Sequence, residues 1–252
     1  PKVHNAVAIA PTYSMYKVAA EINDVEVREV QLEEDFSLDA DKLLAATDAN
    51  TRLLWLCSPN NPTANSFPTA TIERIIREFA GIVVLDEAYI DFAAEPGFLS
   101  RLGEFPNLIV LQTLSKAWGM AGLRLGLAFA DPLIVATLSN VKYPYNVNGP
   151  TQQTVLERLA GSPAAQVAEI LSERRRVAAA LQPMKVVRKL YPSDANFVLV
   201  KVDEPRKVYD RLIAAGIIVR DRSRMQGCEG CLRITIGTPE ENTRLLEVMA
   251  QL

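Results

Sequence analysis

Three short apolar runs, Leu53-Leu54-Trp55-Leu56, Ile82-Val83-Val84-Leu85 and Leu108-Ile109-Val110-Leu111, each close on a polar turn. The runs are continuous rather than alternating, which marks strands buried on both faces and therefore a parallel sheet. Residues 69–80, between the first two runs, place apolar side chains at helical spacing. A strand, helix, strand rhythm of this kind predicts an α/β fold whose mainly parallel sheet carries helices on both faces. Further strands are expected over 4–10, 25–32 and 124–130, with helices over 15–21, 38–46, 132–141 and 151–160.

Beyond Asp131-Pro132 the character changes to α+β. A long helix is expected over Ala164–Leu181, with Arg174, Arg175 and Arg176 on a solvated face. Strands follow over 195–202, 217–220 and 231–236, with a helix over 206–215. Thr238-Pro239-Glu240-Glu241 then carries a capping threonine, a first-turn proline and a glutamate three residues after the cap, opening a last helix. The expected domains are 1–150, a large α/β unit, and 151–252, a smaller α+β unit. Residue 1 is proline and strand begins almost at once, so an N-terminally incomplete large domain is expected.

With 252 residues, 49% hydrophobic, 23% charged and a net charge of −3, the chain has no electrostatic footprint for nucleic acid and no run long enough for a membrane helix. A cytoplasmic enzyme fits best. The three cysteines are too few for a disulfide scaffold. Cys228-Glu-Gly-Cys231 lacks a second pair, and the only histidine is His4, so the two cysteines read as small residues in a turn before a strand and no metal is expected.

In a parallel α/β sheet, ligands sit beyond the carboxyl ends of the strands. The three runs lead there into Ser58-Pro59-Asn60-Asn61-Pro62-Thr63, Asp86-Glu87-Ala88-Tyr89 and Thr113-Leu114-Ser115-Lys116. A lysine stranded between two core strands suits a reactive amine, and Gly119, Gly122 and Gly126 are expected to supply the freedom its turn needs. With Asp86 the set suits pyridoxal phosphate (PLP), whose aldehyde requires an amine and whose ring nitrogen requires a carboxylate. Asn61 and Tyr89 are placed to hydrogen-bond the ring's phenolate oxygen, Ser115 and Arg124 to neutralise the phosphate, and Tyr13 to stack on the ring.

SPNNPT, VVLDEAYIDF, TLSKAWGMAGLRLG and CLRITIG, in this order, resemble the fold-type I PLP aminotransferases, and most closely the histidinol-phosphate aminotransferase family; PTYSMY and DANFVLV agree. The resemblance implies that Lys116 carries the cofactor, that Asp86 pairs with the pyridine nitrogen, and that Thr113 joins Ser115 and Arg124 at the phosphate. It implies that Arg233 grips a substrate carboxylate, that Arg220 takes the distal anion, and that Asn196 lines the same region. Histidinol phosphate and 2-oxoglutarate, with glutamate as product, are the implied substrates, and the full-length parent is implied to be a homodimer. Other implied readings are an aromatic amino acid aminotransferase, a threonine-phosphate decarboxylase, or an incomplete fragment that binds little. Ala64 stands where the family commonly has glycine after Asn-Pro-Thr and Trp118 where phenylalanine is usual; both are tolerable if the local backbone keeps φ negative.

Overall fold

The computed structural model describes residues 2–252. Its first sheet is built from β1 (Asn5–Ala10), β2 (Glu26–Gln31), β3 (Thr51–Cys57), β4 (Ile82–Asp86), β5 (Leu108–Thr113) and β6 (Gly126–Ala130), in the spatial order β2-β1-β3-β4-β5-β6. All pairings are parallel except β5 with β6. Every residue of β1 is buried, as expected of a strand paired on both edges and covered on both faces. By contrast β2, at the sheet margin, is only partly covered.

The crossover helices explain the sheet's core. In α3 (Thr69–Glu78), Ile72, Ile75 and Ile76 fall at helical spacing and pack with Ile9, Leu54, Leu56, Val83 and Leu85. Helix α2 (Ala40–Ala45) adds Leu43 to the same core, its Asp39 cap accepting from the backbone amides of Asp41 and Lys42. Between β1 and β2 lies α1 (Met15–Ile22), which buries only Tyr16. Beyond β6 come α4 (Pro132–Val141), α5 (Gly149–Leu159) and α6 (Ala164–Leu181).

A second, antiparallel sheet follows, formed by β7 (Val187–Leu190), β8 (Phe197–Val202), β9 (Arg220–Asp221) and β10 (Cys231–Thr235) in the order β7-β8-β10-β9. Strand β8 alternates between two buried faces. Val198 and Val200 meet α6, α7 (Pro205–Ala214) and α8 (Pro239–Met249), whereas Phe197 and Leu199 turn toward the first sheet and its loops. The capping box of α8 forms as expected between Thr238 and Glu241.

Several expectations are corrected. No strand was expected over Val187–Leu190, whose short, half-exposed, basic sequence carries little periodicity. The strand over 217–220 shrinks to Arg220–Asp221, because only those residues pair with Leu232 and Arg233. In the lysine turn, Gly119 takes φ +66°, but Gly122 and Gly126 need no positive φ; Arg124 takes the second reversal at φ +56°. Ala64 adopts φ +71° with its methyl fully buried, so the condition of a negative φ is not met and alanine is held in the left-handed region. Arg174 does not lie on a solvated face: its Nη1 donates to the carbonyls of Ala195 (2.8 Å) and Phe92 (3.3 Å). Cys228 and Cys231 are buried beside Phe36, Tyr191 and Leu199, and burial pushes their thiols up to about 12 and about 11.

Candidate active site

The carboxyl ends of β1, β3, β4 and β5 open onto one cavity of ≈ 750 Å³, within the range of a small-molecule site. The first sheet contributes Tyr13, Asn61, Asp86, Tyr89, Thr113, Ser115, Lys116 and Arg124 to its wall; the second contributes Arg220, Arg222 and Arg233. Ten of the eleven residues singled out from sequence therefore converge. Asn196 does not line the cavity; its backbone carbonyl accepts from the amide of Ile236.

Lys116 follows β5 in a tight turn closed by Gly119 N–H to Lys116 O (3.0 Å). Its Nζ lies 5.2 Å from the centre of the Tyr89 ring. Burial first, then the positive charges of Arg233 and Arg124, hold this amine below the ordinary lysine range, against the opposing pull of Asp86. A larger neutral fraction makes it a better nucleophile and a competent proton acceptor.

Asp86 ends β4 beside Cys57 of β3, the two being paired across the sheet. Its Oδ2 accepts from the Tyr16 hydroxyl (2.6 Å) and its Oδ1 from the Ala88 amide (3.0 Å). Burial pushes the carboxyl up, while these two donors and Lys116 pull it down. Tyr16 is fixed by stacking on Trp55, 4.7 Å away, and edge-on by Tyr13 at 5.6 Å. Sequence reading missed Tyr16. The available signal was its place in the first turn of the helix expected after Tyr13, close behind the end of the first strand.

Asn61 is positioned by its neighbour. Buried Asn60 donates from Nδ2 to Pro11 O (2.9 Å) and Thr63 Oγ1 (2.8 Å) and accepts from Thr12 Oγ1 (2.7 Å), locking the loops after β1 and β3 together. Asn61 Oδ1 accepts from Arg233 Nη1 (2.7 Å). With its oxygen engaged, the Asn61 amide has its N–H donors left for a ligand. Tyr89 is buried against Phe197, and burial pushes its phenol up to about 12, keeping it a donor at neutral pH.

At the opposite end, Thr113 Oγ1 accepts from the Ser115 amide (3.1 Å), and Arg124 Nη1 donates to Ala121 O (2.8 Å). Tyr13 is 43% exposed, its ring free to cover a ligand.

The residues fit a PLP-sized group. Asp86 is a half-buried carboxylate with no ion-pair partner among the described residues, as suits a site whose counter-charge arrives on a ligand. The only amine in the cavity wall, Lys116, has no hydrogen-bond acceptor within reach among the described residues, and the hydroxyl side chains of Thr113 and Ser115 line the same cavity with Arg124, a donor set whose chemistry suits a phosphate.

The family described as aminotransferase class I and II matches residues 2–249. A histidinol-phosphate aminotransferase from Parabacteroides distasonis is 52% identical over the whole chain, which spans 74% of that relative's length. The crystal structure of the histidinol-phosphate aminotransferase from Clostridium acetobutylicum superposes with a TM-score of 0.93 at 22% identity, covering 99% of this chain and 78% of the other. The histidinol-phosphate aminotransferase from Sinorhizobium meliloti in complex with pyridoxal-5'-phosphate superposes at 0.86 and 24% identity, over 99% and 70%.

Proposed function

The chain belongs to the class I and II aminotransferases, and from that premise we propose that it moves an amino group between L-histidinol phosphate and 2-oxoglutarate in histidine biosynthesis. The observation that carries this reading is the facing of a half-buried amine and a half-buried carboxylate across a cavity whose far wall is guanidinium.

Bound here, pyridoxal phosphate supplies an aldehyde for the amine and a ring that draws electrons from the substrate's α-carbon. Lys116 Nζ would hold the cofactor and, as an amine held below the ordinary lysine range, would accept the proton from that carbon. Asp86 keeps a proton on the ring nitrogen. Asn61 and Tyr89 donate toward the phenolate oxygen, and Tyr13 covers the ring. Thr113, Ser115 and Arg124 bind the cofactor phosphate. Arg220 and Arg233 orient the substrate through its distal anion, and in the second half-reaction Arg233 grips a carboxylate of 2-oxoglutarate.

The reading extends to a cytoplasmic homodimer. Leu133, Val141, Tyr143, Tyr145 and Leu156 stand 70–95% exposed on and between α4 and α5, a surface suited to self-association. Among the described residues no helix is long and apolar enough to cross a membrane.

The test is turnover by the PLP-loaded chain of histidinol phosphate, phenylalanine and O-phosphothreonine, each at equal concentration. The reading expects transamination of histidinol phosphate at least ~100-fold more efficient than that of phenylalanine, because a pocket holding paired charges rejects an uncharged ring. Preference for phenylalanine contradicts it, as does release of carbon dioxide from O-phosphothreonine as the main reaction.

A further inference from the structure

Five cations, Lys116, Arg124, Arg220, Arg222 and Arg233, line the cavity, against a single carboxylate, Asp86. None of the five forms an ion pair among the described residues, although eleven other arginines and lysines of the chain do. Arg222 has no part in the mechanism above. It follows β9, and its backbone amide donates to Cys231 O (2.9 Å), which holds the residue beside β10.

Its Nε is buried and has no hydrogen-bond partner, and the same is true of Arg233 Nε. The adjacent acid does not neutralise it: Asp221 Oδ1 accepts from the amide and hydroxyl of Ser223, at 2.8 and 2.5 Å. The charges of Arg222 and Arg220 also press on Arg233, adding to the burial that lowers its affinity for its proton. Orphaned, mutually repelling donors around a cavity are costly until an anion enters. Arg233 has already committed Nη1 to Asn61. A carboxylate offers two oxygens and one charge and is satisfied by a single guanidinium fork, whereas a phosphate ester offers three outer oxygens and up to two charges.

We infer that Arg222 is a specificity-determining residue, a third guanidinium that lets the site take a phosphate dianion in preference to a carboxylate. The inference rests on the reading of this cavity as a site for a phosphorylated amine, and it assigns discrimination between the two anions to a residue other than Arg220 and Arg233.

The experiment measures binding of inorganic phosphate and of acetate to the PLP-loaded chain, by displacement of the bound cofactor's visible absorption, in the parent and in Arg222→Gln, Arg222→Lys and Arg224→Gln. Arg224 is exposed on the same loop and does not line the cavity. Arg222→Gln is expected to weaken phosphate on the order of tenfold or more and acetate less than about threefold. Arg222→Lys, which keeps the charge and fold but not the fork, is expected to fall between, and Arg224→Gln to match the parent. Steady-state turnover of histidinol phosphate by Arg222→Gln is expected to show a raised KM with kcat within about threefold. Equal losses for phosphate and acetate overturn the inference, as does a loss in Arg224→Gln as large as in Arg222→Gln. Phosphate discrimination that depends on Arg222 in a chain that does not turn over histidinol phosphate sinks the proposed substrate while leaving the role of Arg222 standing.

Discussion

Lys116 pays for its reactivity in stability. Its folded pKa is depressed, so the unfolded chain binds more protons between that value and the ordinary lysine pKa, and stability rises with pH through this window. Cofactor-free Lys116→Met is therefore expected to resist urea better than the parent at neutral pH, with the difference shrinking as pH approaches 10.5. An advantage that grows with pH would contradict the cause assigned. Tyr16 holds one oxygen of Asp86 through a short bond from a ring locked against Trp55. Tyr16→Phe keeps the ring and removes the donor; a hydrogen bond to a charged group is worth ~1.5–3 kcal/mol, so kcat is expected to fall roughly 10- to 100-fold with the fold intact by circular dichroism. At Ala64, relief of left-handed strain by glycine, ~1–2 kcal/mol, is largely offset by a lost methyl of ~0.8 kcal/mol and added chain entropy of ~0.5–1 kcal/mol. Ala64→Gly should thus change stability by less than ~1 kcal/mol in urea melts, whereas Ala64→Val, β-branched at φ +71° with no space around it, should cost ~3 kcal/mol or more.

Elements were legible where periodicity was strong. Ala164–Leu181 appears with the expected bounds, and the parallel strands fall within one or two residues of their apolar runs. Ile75 shows why the pattern was reliable: its burial against Leu54 and Leu85 is dictated by helical spacing alone, and Ile75→Ala is expected to cost ~2–5 kcal/mol in denaturant unfolding. What was not legible depended on partners remote in sequence. Val187–Leu190 is a strand because β8 lies beside it, and Arg174 leaves solvent because two carbonyls, of Phe92 and Ala195, converge on its guanidinium. The same limit governed the site. Residues directly after apolar strands were found, since strand ends are visible in the sequence. Tyr16, Asn60 and Arg222 were not, because their contacts with Asp86, Pro11 and the cavity are made only in the folded chain.

At the scale of the molecule, the cavity exists only because the two sheets face each other. Lys116 and Asp86 come from the first, Arg220, Arg222 and Arg233 from the second, and Arg233 crosses to Asn61. Helix α6 spans the join, packing Val167 with Tyr89 and Phe92 at one end and Val177 and Leu181 with the second sheet at the other. We propose that the division into units near residue 150 holds in this sense, with α6 as the shared strut. Arg174→Met, which keeps the stem but removes both carbonyl contacts, is then expected to raise KM several-fold while changing the unfolding midpoint little. The central claim is that Lys116 is the residue on which the cofactor is held. The most direct measurement adds PLP to the purified chain, follows the visible absorption to saturation, reduces with borohydride and maps the modified peptide. Saturation at one equivalent with the label on Lys116 alone is the predicted result; a folded chain labelled on another lysine, or not at all, would contradict it.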